Sequence, residues 1–145
     1  MTCKSRRPPR LPSLRISLLL LAALAMLALL ARLSTLRALR TALPKARITL
    51  VGLPWASQFA RRFRSYIDDF VDFPGHPLLP EQPVRQAELT SFYADMCARK
   101  FTLALQLHGN GGSTNEIVAG FGAYAMAGHC QGEPVATGRT VLFPY

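Results

Sequence analysis

Apolar positions in this chain fall into short blocks whose spacing alternates between helix and strand. From Leu33 they recur at Leu36, Leu39 and Leu43 with Arg37 and Arg40 between, the pattern of an amphipathic helix that stops before Pro44. Ile48 to Leu53 is then a compact β-branched and apolar run, as a buried parallel strand requires. Trp55 to Phe63 returns to helix spacing, with apolar residues at 55, 56, 59, 60 and 63. Phe70 to Phe73 predicts a second short strand, closed by Pro74 and Gly75. Four prolines between 74 and 86 exclude regular structure there, and Leu78 and Leu79 within that stretch make it an ordered loop and not a domain linker. Beyond it the pattern predicts a helix from Gln86 to Lys100, a strand from Phe101 to Leu107, a helix from Thr114 to Gly122, and strands at Tyr124 to Ala127 and Thr140 to Phe143. Such alternation implies an α/β fold, a Rossmann-like parallel sheet with helices on both faces.

Charge changes the picture at the N-terminus. Residues 1–47 carry ten Lys and Arg and no acid, whereas residues 48–145 carry seven bases and eight acids, so the net charge of +9 belongs to the tail. The globular part is close to neutral, which removes the basic face that nucleic-acid binding needs. Within the tail, Ile16 to Ala31 is interrupted only by Ser17 and has no charge. As a helix it would be about 24 Å long, against the roughly 30 Å of a hydrocarbon core. Residues 1–32 are therefore read as a basic N-terminus with an apolar helix, open to three uses: a short membrane anchor, a buried piece of the fold, or a cleaved signal. Basic residues flank the run on both sides, so they set no orientation. Cys3, Cys97 and Cys130 are odd in number and widely spaced, as expected of a reducing compartment.

The run with most chemical content is Leu107-His108-Gly109-Asn110-Gly111-Gly112-Ser113-Thr114-Asn115-Glu116, which joins a predicted strand to a predicted helix. In open α/β sheets the carboxyl ends of strands form the ligand crevice, so His108, Gly109, Asn110, Gly111, Ser113 and Asn115 are the candidate substrate-binding residues. Ser113 and Glu116 have capping-box spacing. Thr114 stands where a dinucleotide fingerprint wants Gly or Ala, and no Gly-Lys-Ser/Thr is present for a phosphate-binding Walker loop. A plain tight turn remains the alternative. His76, His108, His129 and Cys130 lack metal-ligand spacing, so no metal is expected. Asp68, Asp69 and Asp72 read as a solvated edge, and Arg61, Arg62 and Arg64 as an exposed helix face.

Several of these stretches, in order, resemble a known family. Leu36-Arg37-Ala38-Leu39-Arg40 with Ala42-Leu43-Pro44, Ala46 to Gly52, Leu53-Pro54-Trp55-Ala56, Phe73-Pro74-Gly75 with Leu79-Pro80-Glu81, and Leu105 to Gly109 with Asn115 are similar to the early part of glycosyltransferase family 9, the ADP-heptose:lipopolysaccharide heptosyltransferases and their relatives. The resemblance covers residues 33–145. It implies the amino-terminal half of a GT-B enzyme, the Rossmann-like domain that receives a lipid-linked saccharide acceptor while a second domain binds the nucleotide-sugar donor, at the cytoplasmic face of a bacterial inner membrane. No cofactor is implied. The family's Gly-Asp loop, whose Asp is the expected general base, has no counterpart, since no Gly precedes Gly52 and no acid precedes Asp68. No catalytic residue is assigned, and the chain alone is expected to be inactive. A reading from another class remains: a small membrane-anchored α/β module that binds a phosphorylated ligand without catalysis.

Overall fold

The computed structural model describes residues 33–80 and 82–145. The predicted apolar run Ile16 to Ala31 lies outside these residues. The chain divides into two compact units between Ala46 and Arg47. In the first, helix α1 occupies residues 33–42, as the leucine spacing requires. Its end is fixed by Arg40, whose guanidinium Nη1 donates to the carbonyls of Ala46 (2.6 Å) and Pro44 (3.3 Å). Among the described residues no helix is long and apolar enough to cross a membrane.

The second unit is mixed α/β. Its elements follow the order β1 (Thr49–Gly52), α2 (Ala56–Arg62), β2 (Asp69–Asp72), α3 (Gln86–Ala98), β3 (Leu103–Leu105), α4 (Gly112–Ala119), β4 (Ala125–Cys130), β5 (Val135–Thr137) and β6 (Thr140–Pro144). The strands form two sheets where the sequence predicted one: a parallel pair β1–β2, and a four-stranded sheet ordered β3–β4–β6–β5 that is parallel except at β5. No ladder joins β1 to β3. The predicted strand from Phe101 to Leu107 shrinks to Leu103–Leu105, and the helix predicted at Thr114 starts two residues earlier. The 74–86 stretch is a loop as predicted, pinned by a bridge between His76 and Leu79 and by Gln82 Nε2 donating to the Phe73 carbonyl at 2.7 Å.

Side-chain direction fixes how the strands are arranged. On β1, Gly52 faces α2: a Cβ added there would lie 3.2 Å from Ala56 Cβ and 3.6 Å from the Phe70 ring. Successive strand residues point to opposite faces, so Val51 and its register partner Val71 face the other way. There they pack, with Leu53, on the core of Phe73, Phe92, Met96, Ile117 and Phe121, which α3 and α4 supply with β2's end. Thus α2 covers one face, and α3 and α4 the other. The connection from β1 to its parallel neighbour β2 runs through α2, as a crossover between parallel strands requires.

The core is aromatic. Phe92 meets Phe73 and Phe121 edge-on, with centroids 5.5 and 5.8 Å apart, and Met96 is fully buried beside them. Edge-to-face rings of this kind contribute about 0.5–1.5 kcal/mol beyond the area they bury. Helix α3 supplies Phe92, Met96 and Tyr93 to this core and ends at Ala98, with Lys100 after its cap residue Arg99 in a left-handed backbone (φ 50°). Arg99 ties that end to β2, with Nη1 2.7 Å from Asp69 and Nε 3.1 Å from Asp95.

Candidate functional site

The site lies where β3 ends. Gln106, directly after the strand, is 2% exposed, and its carboxamide extends the sheet pairing beyond Leu105. Its backbone N–H donates to Ala127 O (2.8 Å), while its side-chain Oε1 accepts from His129 N (3.1 Å). Its Nε2 donates to the His108 carbonyl and to Thr114 Oγ1 (2.9 Å), and Thr114 Oγ1 reaches the same carbonyl at 3.2 Å. One buried amide thereby fixes both ends of the glycine loop. A carboxamide set between Leu105 and Leu107, at the end of an apolar run, was the sequence signal for it.

Gly111 is the hinge of the loop. It caps α4 in a left-handed conformation (φ 95°), and a Cβ there would fall 1.8 Å from His129 O, so no side chain fits. Asn115, one turn into α4, donates from Nδ2 to that same carbonyl at 2.9 Å. Its Oδ1 and the Nδ1 of His129 are buried without a hydrogen-bond partner among the described residues. The expected Ser113–Glu116 capping box does not form. The helix begins one residue before Ser113, so Ser113 occupies the first turn, and the cap residue Gly111 has no side chain to accept from the helix amides.

These placements leave an open pocket of about 210 Å³, lined by Leu79, His108, Gly109, Asn110, Gly112, Ser113 and Thr114. Of the predicted site residues, His108, Gly109, Asn110 and Ser113 line it, while Gly111 and Asn115 lie behind it as supports. Leu79 was not foreseen as part of the site. It comes from the loop after β2. Among the described residues neither carboxylate nor Lys nor Arg lines the pocket; the lining side chains offer hydroxyl, carboxamide and imidazole groups. Among the described residues no group of three or more His, Cys, Asp or Glu could hold a metal ion.

Asp69 and Asp72 each pair with an arginine, as expected of a structural edge and not of a carboxylate site: Asp72 is 2.8 Å from Arg85 Nη2, and Arg85 Nε also reaches Glu88 at 2.8 Å. The Arg99 hydrogen bond holds the Asp69 carboxyl below its ordinary value in spite of burial. Asp68 accepts from Ile48 N at 2.7 Å, joining the start of β1 to the turn before β2.

No protein family, curated protein or solved structure matches this chain, so its function is read from the residues and geometry of the site.

Proposed function

We propose that residues 47–145 form the acceptor-side module of a glycosyltransferase of the heptosyltransferase type, a Rossmann-like half of a GT-B architecture. In this reading the pocket after β3 holds a sugar ring of a lipid-linked saccharide, the nucleotide-sugar donor binds outside it, and the basic, apolar tail keeps the chain near a bacterial inner membrane. The observation that carries it is the lining of the pocket. Uncharged hydrogen-bonding groups on a loop pinned by Gln106 suit a neutral polyol, whose hydroxyls both donate and accept. With no base assigned, the module's role is to bind and orient the acceptor.

Calorimetric titration of the full chain with deacylated lipopolysaccharide core saccharide tests this. His108→Ala and Asn110→Ala should leave melting nearly unchanged and weaken binding by about 1–3 kcal/mol for each lost hydrogen bond. No saccharide binding, or equal affinity in both variants and the parent, would overturn it. The second reading, a phosphorylated ligand, is favoured by one feature: Gly111 gives the first turn of α4 no side-chain cap, so that the Ser113 and Thr114 amides stand at the pocket while Asn110 Oδ1 accepts from Gly112 N at 3.4 Å. Binding of inorganic phosphate without saccharide would decide for it.

A further inference from the structure

Helix α2 packs on its sheet through its smallest side chains. Its buried residues are Ala56 and Ala60, with Ala56 standing over Gly52 of β1. Its large side chains are left outside. Trp55, which enters the helix with helical backbone angles (φ −64°, ψ −27°), is 64% exposed. Phe59 and Phe63 follow at four-residue steps along the same flank. Their rings touch each other, with centroids 4.6 Å apart, stay half-buried, and take no part in the described core around Phe92.

The same surface carries unneutralised positive charge. Arg61 and Arg62 end the helix and Arg64 lies in the turn after it, all three exposed, with Arg62 two turns from Trp55 on the same side. Among the described residues none of the three forms an ion pair. Every acid of the chain lies at Asp68 or later, and the two on β2 are taken, Asp69 by Arg99 and Asp72 by Arg85. The near-neutral net charge of the unit therefore hides a local cationic face. A soluble polyanion would satisfy these arginines and leave the rings in water. An anionic bilayer takes both, because its phosphates accept from guanidinium groups while indole and phenyl rings settle at headgroup depth.

We propose that this outer face of α2, Trp55 with Phe59, Phe63 and the three arginines, docks on an anionic lipid surface. The contact is separate from the basic, apolar tail of residues 1–32 and independent of what the pocket holds.

Trp55 is the sole tryptophan, so its fluorescence reports on α2 even while the tail is bound to lipid. The full chain is mixed with phosphatidylcholine vesicles that contain or lack phosphatidylglycerol. With the anionic vesicles Trp55 emission should shift to the blue and be quenched by lipids brominated on their acyl chains, and added salt should weaken both effects; with phosphatidylcholine alone neither should appear. Arg61→Gln/Arg62→Gln/Arg64→Gln should melt like the parent, since the three side chains are exposed and unpaired, and should lose the response by about fivefold per arginine. Vesicles that sediment the parent without moving its Trp55 emission would overturn the docking and leave binding to the tail. An equal response to both kinds of vesicle, a variant that responds like the parent, or a response to soluble heparin but to no vesicle would overturn it as well.

Discussion

Gln106 acts as an additional piece of main chain. Its carboxamide has the donor and acceptor of a peptide group, and it uses them as a peptide would, accepting from His129 N and donating to His108 O beyond the last residue of β3. An apolar residue of similar size would fill the space and satisfy none of these groups. Gln106→Leu should therefore destabilise the unit by about 1–3 kcal/mol for each backbone group left buried and unpaired. Urea unfolding measures this, and a change within about 0.5 kcal/mol would mean that water replaces the amide. The sequence made the loop residues around Gln106 legible, because three glycines between a strand and a helix have few other uses, and Gly111 does require a positive φ. It misplaced the cap. Ser113 and Glu116 have the right spacing, but the glycine before them already turns the chain into the helix, and the spacing of a capping box carries no information about which residue starts the turn.

Among the elements, the join between α3 and β2 depends on Arg99, which reaches Asp69 on the strand and Asp95 on its own helix. Both Arg99 and Asp69 are about a third exposed (33% and 31%), so the pairs are worth about 1 kcal/mol or less after solvent screening. Their pH dependence has a definite sign. Asp69 titrates lower in the folded chain than in the unfolded chain, chiefly because of the Arg99 hydrogen bond, so its contribution is complete above the unfolded value of about 3.9 and is lost as pH falls through the folded value. Melting temperature against pH should show Asp69→Asn with a shallower decline below about pH 4 than the parent. Parallel acid limbs in the two proteins would show that the pair contributes nothing. Compact apolar runs made β1 and β2 readable, and leucine spacing made α1 readable. Strand β5 escaped because Val135, Ala136 and Thr137 are all exposed at a sheet edge and bury no pattern. Its cue was the turn: Thr137 faces Thr140 across Gly138-Arg139, and Gly138 has φ 58°, a two-residue hairpin signature.

For the molecule as a whole, the least legible property was which strands pair. Alternating strand and helix predicted one parallel sheet, and every strand of it except β5 was found, yet whether β1 pairs with β3 depends on residues some fifty positions apart that no local pattern encodes, and the two do not pair. The divided sheet has a consequence for how the unit opens. Hydrogen bonds connect β1 only to β2, and β3 only to β4, so the two sheets are coupled through the side chains of α3 and α4 around Phe92. Packing of that kind breaks more locally than a continuous ladder. Amide hydrogen exchange should therefore resolve two protection classes, with β1–β2 exchanging through an opening that leaves β4 and β6 closed. β3, at the end of its sheet's strand order, should exchange faster than the central β4 and β6. A single protection level across all six strands would instead mean that the aromatic core alone makes the two sheets one cooperative body.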